Sequence, residues 1–245
     1  MKGILCTLGF GLVLAVLLTG CCGLIPRQTT ITGSGNVVTR EEAFTGFDKV
    51  DVSHAFTVDI SQGDSFRVVV RVDDNLVEHL DVVKQGDTLK IGLEPSPLRN
   101  VRNATMEAEV TMPELTGLEL SGASDGAITG FKSSQALEVK LSGASSLRGD
   151  IEAGDVRFDL SGASSVTLSG SAQDVTIDAS GGSVANLADF PVADAAVEAS
   201  GASAVTVNPS GSLDVGASGA SHVYYVGNPT LGKIDTSGAS SVERK

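Results

Sequence analysis

One four-residue motif recurs through about half of the chain. Ser-Gly-Ala-Ser, with one Ser-Gly-Gly-Ser variant, occurs seven times at intervals of 21, 19, 19, 20, 18 and 19 residues. Such regular spacing indicates a repeat architecture, in which each unit stacks on its neighbours. The motifs begin at Ser121, Ser142, Ser161, Ser180, Ser200, Ser218 and Ser237.

Each motif is flanked by segments in which apolar residues alternate with polar ones. Residues one, three and five before the first serine are apolar, as in Val156, Phe158 and Leu160, and another apolar pair follows the motif, as in Val166 and Leu168. A period of two is that of a strand with one buried face. Units of about 19 residues keep this phase only if their strands pair with those of the next unit, roughly 4.8 Å away. The sequence therefore predicts an all-β, right-handed parallel β-helix. A flexible Gly/Ser-rich linker would not hold its apolar residues in phase.

The motif itself predicts a corner between two strands. Glycine suits a backbone with positive φ or a close approach to the neighbouring corner. We expect the flanking hydroxyl groups to form hydrogen bonds along the stack. We also expect the alanine of each motif to point inwards, and these alanines are Ala123, Ala144, Ala163, Ala202, Ala220 and Ala239.

An acidic column is predicted on the outside of the solenoid. The position two residues before each motif is mostly acidic, with Lys140 and Gly216 as the exceptions. Stacked carboxylates repel one another, so the column is either a surface for a cation or a basic partner, or a solvated face that resists aggregation. The candidate column comprises Asp51, Glu119, Asp159, Asp178, Glu198 and Asp235.

The amino terminus has the features of an export signal. An uncharged apolar run, Ile4 to Leu18, leads into Leu18-Thr19-Gly20-Cys21, which resembles the signal of bacterial lipoproteins. That resemblance implies a signal peptide at residues 1–20, lipidation of Cys21 and a membrane anchor. An uncleaved transmembrane anchor or a plain secretory signal are the alternatives. Cys22 follows in place of the aspartate that usually retains lipoproteins at the inner membrane, which favours an outward-facing envelope protein. All three cysteines lie at or before residue 22, so we expect no disulfide in the folded part.

The remaining segments complete the predicted organisation. Residues 21–46 are expected to form a tether, 47–117 a first rung with a β-hairpin-rich cap, and 118–245 the β-helix. Within the cap, Phe56–Ile60 and Phe66–Val72 are predicted to form one hairpin, and Val82–Lys84 and Leu89–Leu93 another. A short helix is expected to begin at Asp73 or Asp74. The last rung lacks a comparable cap, which predicts a homo-oligomer through the carboxy-terminal rung.

Composition and motif spacing argue against several functions. With 30 acidic and 17 basic residues the net charge is −13, which disfavours nucleic-acid binding. The sequence predicts no cofactor and no metal site, because His54, His79 and His222 lack metal-ligand spacing. No Gly-x-Ser-x-Gly nucleophile motif occurs with a suitable histidine, and no catalytic residues are predicted.

A family resemblance covers residues 47 to 245. The lipoprotein-like signal, the Phe-x-x-Val-x-Val segment from Phe47 to Val52, the Gln-Gly-Asp turns and the Ser-Gly-Ala-Ser units are similar to the head GIN domain family of auto-transporter adhesins. The resemblance implies a surface-exposed β-helical domain and brings no catalytic residues with it.

These observations predict a non-catalytic, lipid-anchored protein of the cell envelope that acts as an adhesin-like interaction platform for a protein or glycan. A structural or signalling-accessory lipoprotein inside the envelope is the alternative. An enzyme acting on polysaccharides is a weaker one. Its candidate groups would be Arg67, Arg71, Arg99 and Arg102 with Asp73, Asp74 and Glu78.

Overall fold

The computed structural model describes residues 29–94 and 99–245, and most of these residues lie in β-strands. Up to Met112 it contains nine strands and a 3₁₀ helix at Asp74–His79. The strands are β1 (Thr29–Thr32), β2 (Val37–Glu42), β3 (Lys49–Val52), β4 (Thr57–Gln62), β5 (Arg67–Asp73), β6 (Leu80–Gln85), β7 (Thr88–Leu93), β8 (Arg99–Arg102) and β9 (Met106–Met112).

The repeat region adds fourteen further strands. They are β10 (Gly117–Leu120), β11 (Asp125–Lys132), β12 (Leu137–Leu141), β13 (Ser146–Glu152), β14 (Val156–Leu160), β15 (Ser165–Ser171), β16 (Asp174–Ala179), β17 (Val184–Val192), β18 (Asp194–Ala199), β19 (Ala204–Pro209), β20 (Ser212–Ala217), β21 (His222–Tyr225), β22 (Thr230–Thr236) and β23 (Ser241–Arg244).

Two sheets facing each other form a parallel β-solenoid, as the repeat predicts. Sheet 1 has the strand order β22-β20-β18-β16-β14-β12-β10-β3-β7-β6, and sheet 2 has the order β2-β5-β9-β4-β11-β13-β15-β17-β19-β21-β23. One strand of each sheet and the corner between them make a rung. In the repeat region the rungs run from β10/β11 to β22/β23 and follow one another along the axis.

The core lies between the two sheets and contains the residues that the alternating pattern indicates. Val156, Phe158 and Leu160 of sheet 1 are buried, as are Val166 and Leu168 of sheet 2. β3 continues the repeat, because it pairs in parallel with β10 and places Val50 beside Leu118 and Asp51 beside Glu119. Burial of these apolar side chains between the sheets provides the main stabilisation, since the described domain contains no cysteine.

The corners differ from prediction in which side chain points inwards. The alanine of each motif is exposed, and the fourth residue of the motif, a serine, is buried instead in the first six motifs and half-buried in the last, at Ser240. The buried hydroxyl donates a hydrogen bond to the carbonyl oxygen of the first serine in its own motif, for example from Ser203 to Ser200 at 2.8 Å. A hydroxyl satisfied within the corner can enter the core without an unpaired polar atom, which removes the need for a small apolar residue there. These donors are Ser124, Ser145, Ser164, Ser183, Ser203, Ser221 and Ser240.

From the third motif onward, which begins at Ser161, glycine is required at the second position for two reasons. Gly181 has a φ of +73°, and a Cβ built on it would lie 2.4 Å from the carbonyl oxygen of Gly162 in the preceding rung. That same carbonyl accepts a hydrogen bond from the N–H of Gly182 at 2.7 Å. The backbones of successive corners therefore approach too closely for any side chain.

The cap at the amino-terminal end is built differently from the two predicted hairpins. β6 and β7 do form an antiparallel hairpin, as predicted. β4 and β5 do not pair, because β9 lies between them, parallel to β4 and antiparallel to β5. β7 and β9 extend the parallel solenoid by one rung beyond β3 and β4, and the antiparallel β6, β5 and β2 then end the two sheets.

The segment predicted to be a tether contains strands. β1 and β2 fall within this segment, residues 21–46, so its described part, from Thr29 onward, is folded against the domain. β1 pairs with β8, a short strand that follows the second hairpin. The predicted helix is present as the 3₁₀ helix.

Substitutions at two adjacent glycines test whether the second position of the motif requires glycine and the third does not. Gly181→Ala should destabilise the domain by about 2 kcal/mol or more, because of its positive φ and the carbonyl of Gly162. Gly182→Ala is the matched control, since its Cβ would meet nothing closer than 3.9 Å and the change recreates Ser-Gly-Ala-Ser. Urea unfolding followed by circular dichroism measures both, and equal effects would contradict this account of the corner.

Lysine substitutions test the orientation of the corner residues. Ala202→Lys should change the free energy of unfolding by no more than about 0.5 kcal/mol, because Ala202 is exposed. Ser203→Lys should destabilise the domain by about 3 kcal/mol or more, since it places an unpaired charge in the core. The same unfolding measurement applies, and a tolerated lysine at Ser203 would show that the serine does not point inwards.

Candidate interaction surface

The predicted acidic column lies along the outer face of sheet 1. Strand register places Asp159 beside Asp178, and Asp178 beside Glu198. Glu198 is followed by Gly216 and then by Asp235. At the other end Lys140 separates Asp159 from Glu119, and Glu119 is beside Asp51. We call the stretch Asp159, Asp178, Glu198 and Asp235 the acidic face.

A shallow groove of about 540 Å³ follows the acidic face. The four carboxylate residues line it together with Lys233, and the first serines of four motifs continue it toward the corner. Gly216 has no side chain in the column, and a Cβ there would lie 2.2 Å from a carboxylate oxygen of Glu198. The groove therefore owes part of its depth to this glycine. The serines are Ser180, Ser200, Ser218 and Ser237.

Basic side chains offset part of the negative charge of this surface. Arg157 forms an ion pair with Asp178. Lys233 Nζ lies 2.8 Å from an oxygen of Asp235, and this hydrogen bond, with the nearby carboxylates, raises the pKa of Lys233. The pKa of Lys140 is raised in the same way, chiefly by its hydrogen bond to Glu138. Among the described residues, Asp159 and Glu198 form no ion pair.

The outer face of sheet 2 has a different chemistry. Its outward residues on β15, β19 and β21 carry no carboxylate, whereas β17 carries the exposed Asp189. Tyr224 and His222 stack there with ring centroids 6.4 Å apart. Around these strands the outer face of sheet 2 is therefore less acidic than the acidic face of sheet 1. The neutral residues include Ser165, Thr167, Val184, Asn186, Ala204 and Thr206.

Three of the candidate catalytic groups of the cap, Arg67, Arg71 and Asp73, have separate partners. Arg71 donates a hydrogen bond to Glu109 at 2.6 Å, and this bond lowers the pKa of Glu109. Arg67 forms an ion pair with the same glutamate. Asp73, by contrast, is buried and accepts a hydrogen bond from the N–H of Thr105. Arg67 and Arg71 thus take part in cross-strand ion pairs, which the sequence analysis did not identify because β9 was not expected beside β5.

The histidines interact with nearby side chains. His54 Nδ1 lies 2.7 Å from Ser53 Oγ, and His222 Nδ1 lies 2.9 Å from Ser241 Oγ. Within residues 29–94 and 99–245, no group of three or more His, Cys, Asp or Glu side chains is arranged to hold a metal ion. Nor does this part of the chain contain a helix long and apolar enough to cross a membrane. The predicted lipidation site, Cys21, lies outside the described residues.

Removing one charge from the acidic face should stabilise the domain slightly. Glu198→Gln relieves repulsion with Asp178 on the adjacent strand, so we expect a gain of up to ~0.5 kcal/mol at low ionic strength. Asp178→Asn is the control, because it also removes the ion pair with Arg157 and should not stabilise. Thermal unfolding at 10 mM and 500 mM NaCl checks the effect. A gain that persists at high salt would not be electrostatic.

Comparison with known proteins places this geometry in context. A comparison with curated proteins found no match. Among solved structures, a "putative adhesin" from Bacteroides fragilis is 21% identical, with a TM-score of 0.77 over 88% of this chain and all of that one. A "putative lipid binding protein" from Parabacteroides distasonis is 18% identical, with a TM-score of 0.72 over 89% of this chain and all of that one.

A further structure confirms how widely the fold is shared at low identity. A "putative adhesin" from Parabacteroides merdae is 15% identical, with a TM-score of 0.63 over 88% of this chain and 99% of that one. The model of the family described as "putative auto-transporter adhesin, head GIN domain" matches residues 46–229, which include the first rung, the cap and most of the repeat. The chain therefore belongs to the head GIN domain family.

Proposed function

We propose that the protein is a non-catalytic, lipid-anchored protein of the cell envelope that acts as an adhesin-like interaction platform. The acidic face is its contact surface, and the partner is a protein or glycan that presents cationic groups. The observation that carries this proposal is the groove lined by Asp159, Asp178, Glu198 and Asp235, which extends along several rungs of sheet 1.

The rigidity of the solenoid suits such a platform. Each corner and each strand is bonded to the rungs on either side of it, so the carboxylates are held at a fixed spacing before a partner arrives. A preorganised surface loses little conformational entropy on binding. Carboxylates repeated along the axis also allow several weak contacts to act together on an extended partner.

The family and the amino-terminal sequence support an envelope location. The family description and two of the similar structures name adhesins. The sequence Leu18-Thr19-Gly20-Cys21 supports attachment through lipid on Cys21, and Cys22 in place of an aspartate supports outward display.

The arrangement of the acidic face supports a non-catalytic role. Hydrolysis of a glycosidic bond requires a pair of carboxyl groups on opposite sides of a bound sugar. Here the carboxylates stand side by side along one face of a sheet. Such an arrangement favours binding over acid–base chemistry.

Location and anchoring can be tested together in intact cells. We expect wild-type protein to incorporate a labelled fatty acid and to be cleaved by protease added outside the cell. Cys21→Ala should abolish the label. Labelled protein that stays protected until the envelope is opened would support the internal role instead, and an unlabelled wild type would contradict lipid anchoring.

The contact surface can be tested by changing charge at two places. Asp159→Asn with Glu198→Gln should reduce adherence of cells displaying the full chain to a polylysine-coated surface several-fold, and 0.5 M NaCl should weaken wild-type adherence similarly. Asp59→Asn with Asp64→Asn changes the net charge equally at exposed sites outside the acidic face. Equal losses from both pairs would show that overall charge, and not the acidic face, is responsible.

A further inference from the structure

The last rung leaves one end of the core partly uncovered. β22 and β23 are the terminal strands of sheets 1 and 2, and within the described ranges nothing pairs with their outer edges. Ile234 and Val242 continue the inward columns of Val215 and Val223, which are 3% and 0% exposed. Ile234 and Val242 are only partly buried, and Leu231 is 48% exposed. Apolar surface and strand edges thus coincide at this end.

The unpaired backbone groups belong to the same inward residues. The N–H groups of Ser237, Ser241 and Lys245 donate to carbonyls of the preceding rung. Because N–H groups alternate in direction along a strand, those of Ile234 and Val242 face the open edge. Strand edges of this kind readily pair with another strand.

We propose that this end is a dimerisation surface whose occupant is a second copy of the chain. The chain runs one way along sheet 1 and returns along sheet 2. A two-fold axis parallel to the strands therefore brings β22 of one copy beside β23 of the other, in antiparallel orientation. The contact is isologous, so each copy contributes both strands and the assembly closes at two.

The register of this pairing follows from the core. Placing Ile234 opposite Val242 of the second copy keeps both side chains inside and gives them the hydrogen-bonded positions of an antiparallel ladder. Lys233 then lies opposite Glu243 of the second copy, on the outside. Because the axis is two-fold, this ion pair occurs twice. Charge, apolar burial and backbone pairing therefore agree on one register.

Electrostatics favours pairing of β22 with β23 of the second copy over pairing with β22 of the second copy. Pairing β22 with its own copy would place two acidic faces in one continuous sheet. Pairing it with β23 instead continues sheet 1 into sheet 2 of the second copy, where β23 carries Glu243 and the next two strands, β21 and β19, carry no outward carboxylate. The acidic faces then lie on opposite sides of the dimer and repel each other less.

A bulge in β22 limits the length of the new ladder. Gly232 and Lys233 together stand where Asp214 stands alone on β20, and the N–H of Lys233 donates to the Asp214 carboxylate at 2.6 Å. Bulges interrupt pairing at sheet edges. The ladder is therefore confined to the residues from Lys233 to Thr236, which contain both the apolar and the charged contact. This inference does not rest on the proposed function.

Disulfide trapping tests the register directly. Lys233→Cys with Glu243→Cys, in full-length chain with Cys6, Cys21 and Cys22 changed to Ser and solubilised in detergent, should give linked dimers under mild oxidation. Opposed residues at a non-hydrogen-bonded position lie about 4.5 Å apart at Cα, within disulfide range. The two positions point outward from opposite sheets of one copy, so a bridge between them joins two chains.

Two controls make the trapping decisive. Glu198→Cys with Glu243→Cys should not form linked dimers, because Glu198 lies two strands inside the edge. Mass spectrometry of the linked peptides identifies the bridge. Bridges equally frequent in both pairs, or a bridge that joins the Lys233→Cys site of one copy to the same site of the other, would overturn the register.

Charge exchange tests the interface without cysteines. Lys233→Glu should weaken the association measured by sedimentation equilibrium in detergent about tenfold or more, and adding Glu243→Lys should restore it. A monomeric mass for the wild-type chain at tens of micromolar, or no difference among the three proteins, would overturn the proposal.

Discussion

The close approach of successive corners is the constraint on which the solenoid depends. From Gly162 onward, the glycine at the second position of each motif lies where a carbonyl of the preceding rung leaves no room for a Cβ. That approach brings the next N–H within hydrogen-bonding distance of the same carbonyl. The strands on both sides of the corner are thereby held in register, which in turn aligns the apolar columns inside and the carboxylates outside.

The sequence predicts the repeat region well because its information there is local and repeated. The alternation around Val156 to Leu160 identifies both the strand and its buried face. The cap is harder to predict, because β9 enters between β4 and β5 from more than thirty residues away. β2 has almost no buried residue, so it lacks the alternation that reveals a strand.

The inward serine shows a second limit of pattern reasoning. Polarity alone suggests that Ala202 is inside and Ser203 outside, whereas the structure has the opposite arrangement. A short polar side chain can be buried when its own backbone supplies the acceptor, and no hydropathy pattern records that bond. The acidic column, by comparison, could be aligned from the sequence because the motif fixes its position. The groove could not be predicted from the sequence, since its depth depends on how Glu198 lies over Gly216.

The order of strands in the cap has a consequence for how the chain is made. β7 and β9 stack outside β3 and β4 although they come later in the chain, so the first rung is covered on both sides by residues not yet synthesised when it emerges. The cap cannot close before Met112 has left the ribosome or the export channel. After that point each new rung finds a finished template, and growth can follow the direction of synthesis.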